Sequence, residues 1–235
     1  MYYFAFIAFG AAMMQFLLLP IYIRLKNKQR FAPLKIAIKG CMTLIAVCFC
    51  AYGIFKLYSV TGDFKNLVTP AGYQTNLFVL IGLCICMVAD IMLVICFPVG
   101  MLLFLCGHIC YITYFLKIAP FSPISIIIFV IASIIACFYY GRFRDKMGKL
   151  MVAYYVYGFV IIGTLSLGLM LPFTLGPYGV VPAIAAVLLV ISDFMLAINK
   201  IYKRKVLSDL MYLGYYFTGQ FFLGLSVFVP IVFNL

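Results

Sequence analysis

Five residues carry all the acid in this 235-residue chain: Asp63, Asp90, Asp145, Asp193 and Asp209, with no glutamate. Two of them lie inside apolar runs, and their surroundings match. Val88-Ala89-Asp90-Ile91-Met92-Leu93 and Ile191-Ser192-Asp193-Phe194-Met195-Leu196 agree in character position by position. A carboxylate at the centre of a membrane helix costs about 2.5–3.5 kcal/mol on insertion scales, so each needs a reason. The plain reason is a hydrogen bond to a Tyr, Lys or Ser on the next helix. A matched pair at one depth points instead to chemistry. Two carboxyl groups facing each other out of water cannot both be charged cheaply. They are expected to share a proton, one serving as acid and the other as base. That arrangement suits general acid–base catalysis near neutral pH.

The elements that hold these residues follow from composition. The chain is 68% hydrophobic and only 9% charged, with a mean hydropathy of +1.23, against about 25% charged residues in soluble proteins. This excludes a soluble domain and predicts one integral membrane domain over 1–235. Runs of about 20 apolar residues are needed to cross a bilayer. Eight fit, at about 2–23, 33–57, 76–97, 98–118, 121–140, 150–172, 178–199 and 208–233. The third and fourth are divided only by Pro98 and Gly100. The runs are uniformly apolar with no period-2 alternation, so the fold class is all-α with eight transmembrane helices and not a β-barrel.

Charge sets the expected orientation. The net charge of +12 is concentrated in three turns: Arg24, Lys26, Lys28 and Arg30; Arg142, Arg144, Lys146 and Lys149; Lys200, Lys203, Arg204 and Lys205. In an eight-span chain these turns share one face, leaving Lys56, Lys65 and Lys117 opposite. Positive residues stay in the cytoplasm, so both termini are expected outside. The placement answers to topology and anionic headgroups, not to nucleic acid. The Asp motifs then fall on two inward-running spans, 103 residues apart (193 minus 90), as in two parallel four-helix halves.

At a rise of 1.5 Å per residue, Asp193 lies about 9 Å from the inner end of its span near Asn199, and Asp90 about 10 Å from Phe97. Lys39, His108, Tyr111, Tyr215 and Gln220 cluster near that level, and Ser192 adjoins Asp193. The expected site is a polar pocket opening toward the cytoplasmic leaflet. Lys39 would either snorkel to the headgroups or serve as counter-charge to an Asp or a lipid phosphate. Lys200 would contact phosphate as a secondary role of a topology signal. His108, the single histidine, has no Cys or Glu at ligand spacing, so a helix-contact role and no metal is expected. The nine cysteines show no CxxC pair and read as small hydrophobes.

At these residues the sequence resembles the YhhN family of membrane proteins, which includes the lysoplasmalogenases. The matching stretches are GLCICMVADIMLV (82–94) with FLCGHICYITYF (104–115), and ISDFMLAINKIYKR (191–204) with YYFTGQFFLGLS (215–226). AIKG (37–40) adds a weaker match. The resemblance implies an eight-span fold and, for characterised members, hydrolysis of the vinyl ether bond of lysoplasmalogens. It makes Asp90 and Asp193 the essential aspartates and puts Lys39, His108, Tyr111, Asn199, Lys200, Tyr215 and Gln220 at pocket positions. One departure is Ala185-Ala186, where the family usually has a glycine several residues before the second Asp.

Residue chemistry and resemblance converge. A vinyl ether is cleaved by protonating its alkene carbon, giving an oxocarbenium ion that water attacks. Glycosidases use paired carboxylates around a similar cation. The expected activity is therefore lysoplasmalogenase-like hydrolysis in a multi-pass protein of a bacterial cytoplasmic membrane. Its partners would be a lysophospholipid substrate and membrane lipids, with no cofactor. A proton-coupled transporter with the Asp pair as coupling sites, or a lysolipid-binding protein without chemistry, are the alternatives.

Overall fold

The eight apolar runs become eight long helices in the computed structural model, which describes residues 2–26, 32–61, 72–142, 144–202 and 206–228. They are α1 (Tyr2–Lys26), α2 (Ala32–Thr61), α3 (Gly72–Ile95), α4 (Phe97–Ile118), α5 (Pro123–Gly141), α6 (Met151–Gly168), α7 (Val180–Tyr202) and α8 (Val206–Ser226). Helical turns at Arg144–Met147 and Gly148–Leu150 precede α6, and turns at Leu171–Leu175 and Gly176–Gly179 follow it. Every element among the described residues is helical. In apolar surroundings a helix alone satisfies its own backbone donors and acceptors. Of the basic residues used for orientation, Lys28, Arg30, Lys65, Lys203, Arg204 and Lys205 lie outside the described residues.

Among the described residues, six stretches are long and apolar enough to cross a membrane: Ala8–Leu25, Pro33–Ser59, Thr75–Ile95, Phe97–Ile118, Pro123–Gly141 and Met151–Lys200, the last running through both α6 and α7. Large apolar side chains such as Phe9, Leu17, Leu102, Ile127, Ile135 and Phe138 stand exposed on the outer faces. In water such a surface would drive association. In hydrocarbon it is at rest, and the chain is an integral multi-pass membrane protein.

The break between α3 and α4 falls at Cys96, two residues before the expected boundary. Cys96 is extended (φ −143°, ψ 99°), and Pro98 occupies the first turn of α4, where its missing N–H removes no helical bond. A Cβ on Gly100 would meet the Leu93 backbone nitrogen at 2.6 Å, so the hairpin closes only with glycine there. This tight corner holds Leu93 and Phe97 side by side, a placement the site uses.

Helix neighbours form a closed ring: α2 packs on α3, α3 on α4, α4 on α6, α6 on α7, α7 on α8, and α8 on α2. Outside it, α1 lies on α2 and α8, and α5 lies on α6. Numbering the halves α1–α4 and α5–α8 maps the ring onto itself. The pair α3·α4 corresponds to α7·α8, and α4·α6 to α8·α2. That is the neighbour pattern expected of two four-helix repeats. It sets α3 and α7, the two Asp-bearing helices, across the ring from each other. The departure at Ala185-Ala186 is accommodated locally: both are fully buried, and Gly168 on α6 faces the Ala186 side chain, so the glycine stands on the opposing helix.

Candidate functional site

Asp90 is 1% exposed and fully bonded. One turn of α2 supplies two partners, Lys39 and Thr43, which share a helix face at i and i+4. Lys39 Nζ lies 3.0 Å from Asp90 Oδ1 and 3.4 Å from the Asp90 carbonyl oxygen. Thr43 Oγ1 donates to Asp90 Oδ2 at 2.5 Å. From α8, the Tyr216 hydroxyl donates to the same oxygen at 2.9 Å. The two expected roles for Lys39 are thus resolved in favour of counter-charge, with its side chain 6% exposed.

Asp193 is held in the same manner by the corresponding helices. His108 Nε2, from α4, lies 3.0 Å from Asp193 Oδ2, and the Tyr157 hydroxyl, from α6, also bonds to Asp193. On its far side His108 Nδ1 is 3.1 Å from Thr164 Oγ1. The rings of Tyr111 and Tyr157 stand edge-on to the imidazole, with centroids 5.7 and 6.1 Å away. In each half the aspartate thus takes one set of bonds from the helix before it and another from across the ring.

The two carboxyl groups therefore do not pair with one another as expected. Each closes a cluster of its own, Asp90 on an ammonium and Asp193 on an imidazole. Equal depth on two helices does not fix their rotation, and α3 and α7 stand across the ring. What lies between them is a neutral layer. The Tyr111 hydroxyl donates to Gln220 Oε1 at 2.8 Å and lies 3.4 Å from Cys86 Sγ. Cys86, fully buried, is within electrostatic reach of both Asp90 and Asp193. Tight helix approach makes room for this layer: a Cβ on Gly82 would overlap the Tyr111 ring, and one on Gly107 would stand 2.5 Å from Cys86 Sγ.

Two adjoining cavities reach these clusters. A cavity of about 570 Å³ is lined by Tyr22, Lys35, Lys39, Leu93, Val94, Phe97, Leu196, Asn199, Lys200, Asp209 and Tyr212. Its walls come from the end of α1, the start of α2, the end of α3, the end of α7 and the start of α8, all at one end of the bundle. Lys200 is exposed at the mouth, its Nζ 4.3 Å above the Phe97 ring. A smaller recess of about 20 Å³ shares the Leu93, Phe97 and Leu196 walls and ends on Tyr154, Tyr157 and Asp193. A volume above about 10–15 Å³ admits one water. The cavity thus touches Lys39, behind which Asp90 is sealed, while the recess touches Asp193 itself.

The expected residues are distributed accordingly. Asp90, Asp193, Lys39, His108, Tyr111 and Gln220 come together in the buried clusters, and Asn199 and Lys200 line the cavity. Ser192 is buried next to Asp193 in the chain. Tyr215 is half-buried and takes no part in either cluster; its neighbour Tyr216 makes the bond to Asp90. Sequence reasoning missed Thr43, Tyr157, Thr164, Tyr216 and, at the mouth, Tyr22, Lys35, Asp209 and Tyr212. Thr43 sits at helical spacing from Lys39, and Tyr157 and Thr164 share a face of α6, which are the signals that were available.

Among known proteins, the model for the YhhN family matches residues 34–227. No curated protein and no solved structure matches the chain.

Proposed function

The chain belongs to the YhhN family, and from that premise we propose that it hydrolyses the vinyl ether bond of alkenyl lysophospholipids, with Asp193 as the proton donor. The observation that carries this reading is a basic-mouthed cavity that shares its Leu93, Phe97 and Leu196 walls with a water-sized recess at the Asp193 carboxyl group. The lysolipid enters from the leaflet with its phosphate at Lys35, Lys39 and Lys200. Its vinyl ether, just below the phosphate, lies at the depth of Asp193, and the alkenyl chain runs among the apolar helices.

Asp193 protonates the alkene carbon distant from the ether oxygen, and the adjacent carbon and oxygen share the resulting positive charge. The Asp193 carboxylate left behind faces that cation and stabilises it. Water held in the recess adds to the cationic carbon and returns its proton to Asp193. The hemiacetal then breaks at the glycerol oxygen, releasing an aldehyde and a glycerophospho-alcohol; one water is consumed and no net proton. Asp90 lines neither cavity. It acts through Lys39, holding the ammonium at the cavity wall where the phosphate arrives, and is a positioning residue. In this reading all eight long helices cross a bacterial cytoplasmic membrane, the cavity mouth faces the cytoplasm and both termini lie outside.

The test is product mass spectrometry with detergent-solubilised protein given alkenyl and acyl lysolipids side by side. The expected result is aldehyde from the alkenyl lipid alone, lost in Asp193→Asn while the folded protein still accumulates. In Asp90→Asn the KM for the lysolipid rises more than kcat falls. Normal turnover by Asp193→Asn would remove the mechanism, and proton-coupled flux in liposomes without aldehyde would revive the transporter.

A further inference from the structure

His108 is the single histidine of the chain, and both of its ring nitrogens are engaged. Nε2 faces Asp193 Oδ2 at 3.0 Å, and Nδ1 faces Thr164 Oγ1 at 3.1 Å. Thr164 Oγ1 also lies 3.3 Å from the Val160 carbonyl oxygen, one turn back on α6. A threonine hydroxyl has one hydrogen to donate, and only one of these two acceptors receives it.

Suppose it goes to His108 Nδ1. The imidazole then carries its hydrogen on Nε2 and donates to a bare carboxylate, which Tyr157 also donates to. The result is a net negative charge on a group 5% exposed whose bonding partners among the described residues, His108 and Tyr157, are then neutral. Among the described residues, the other titratable groups near Asp193 are the phenols of Tyr140 and Tyr154 and the thiol of Cys86, and Tyr111 packs on His108; these bring no positive charge. Suppose instead that the hydroxyl hydrogen goes to Val160. Then Nδ1–H donates into Thr164 Oγ1, and the bond between Nε2 and Oδ2 requires one further proton. That assembly is neutral as a whole, whichever atom the proton rests on. An uncompensated buried charge costs far more than the choice between two hydroxyl acceptors, which leaves this arrangement or a carboxyl hydrogen on Oδ1 as the neutral choices, and only the former puts the ring hydrogen on Nδ1 and a shared proton between Nε2 and Oδ2. The Asp90 cluster reaches the same neutrality with Lys39.

We propose that Thr164, His108 and Asp193 form a proton relay: Thr164 fixes the imidazole in its Nδ1–H form, and His108 stores against Asp193 the proton delivered to the substrate. Its purpose rests on the ether-hydrolase reading; its geometry does not. Delivery breaks the O–H bond at Asp193, forms a C–H bond on the alkene, and leaves the carboxylate opposite the oxocarbenium cation. The proton shed by the attacking water refills the site between Nε2 and Oδ2. His108 and Thr164 are positioning residues, working through Asp193.

The single histidine makes the test direct, because histidine-selective ¹⁵N labelling of the full chain in detergent gives one pair of ring signals. In the wild type Nδ1 is expected to show a directly bonded hydrogen and Nε2 a shared one. Thr164→Val should move the ring hydrogen to Nε2 and lower aldehyde release by about 100-fold to 10,000-fold, the range of general acid catalysis. Thr164→Ser, which keeps the acceptor, should restore both the spectrum and the rate. A wild-type Nδ1 without hydrogen overturns the relay, as does a Thr164→Val spectrum identical to wild type. Should Thr164→Val not fold, the wild-type and Thr164→Ser spectra decide alone. An Nδ1–H signal in a wild type that never releases aldehyde supports the relay and removes the vinyl ether as its substrate.

Discussion

Replacing Lys39 by methionine removes an ammonium while keeping an unbranched stem of similar length. Asp90 then retains Thr43 and Tyr216 as donors but loses the cation 3.0 Å from Oδ1. Side-chain exposures of 6% and 1% put this pair among buried ion pairs, where deleting one partner costs about 3–5 kcal/mol. Each kcal/mol moves the Tm of a chain of this size by about 2–4 °C, so the expected drop is about 6–20 °C. A solvent-exposed pair would be worth about 0–1 kcal/mol, a shift of under about 4 °C by the same conversion. The two cases are separable. The assay is the fraction of monodisperse protein surviving a heating series, read by size-exclusion chromatography in one detergent. Lys39→Met combined with Asp90→Asn removes both charges and should lose less than the sum of the two single variants, by at least ~1.5 kcal/mol. A Lys39→Met drop below about 4 °C, or additive losses, would refute the claim that the pair is dry and mutually dependent.

Neighbouring tyrosines provide a sharper test of rotation about α8. Tyr216→Phe removes a hydrogen bond to a carboxylate and should cost about 1.5–3 kcal/mol, whereas Tyr215→Phe should stay within about 0.5 kcal/mol, both by the same heating assay. Gln220→Leu leaves the buried Tyr111 hydroxyl without its acceptor at 2.8 Å, for an expected loss of about 1–3 kcal/mol. Gly82→Ala presses a methyl into the Tyr111 ring, which is buried and bonded and has nowhere to move; about 1–3 kcal/mol of overpacking is expected, visible as a lowered Tm. A periplasmic-active phosphatase fused after the last residue should be active, since the proposed orientation puts the C-terminus outside; an inactive, stably expressed fusion would reverse the topology.

The long helices were legible because a bilayer leaves the backbone few options, and apolar runs of about 20 residues declare themselves. The α3–α4 boundary lies two residues before the one that Pro98 suggests, because proline is tolerated in the first turn and the extended residue is Cys96. Asp90 and Asp193 were legible as rare charges in matched words. Their partners were not, since depth along a helix follows from counting residues but rotation about its axis depends on which neighbours it meets. That is why the sequence points to Tyr215 where Tyr216 makes the bond, and why two carboxyl groups at one level need not touch. In the sequence His108 has no metal-ligand spacing and stands out only as a contact between helices; its place at Asp193 depends on α4 lying against α6, a relation between segments some 50 residues apart. Thr43 and Thr164 are single hydroxyls in apolar helices, chemically unremarked until the atoms they face are known.

The ring has a consequence for how the chain is held together. Its two halves meet at α4·α6 and α8·α2, with α1 and α3 also packed on α8, so neither half can close on itself. A cut in the connection between Ile118 and Pro123 would sever the chain where it links the halves without removing any helix. The two fragments, made separately in one cell, should each be short-lived when alone and should recover as a complex when produced together. Each would carry one of the two buried, matched aspartates and leave part of its cradle, Tyr216 for Asp90 or His108 for Asp193, on the other fragment.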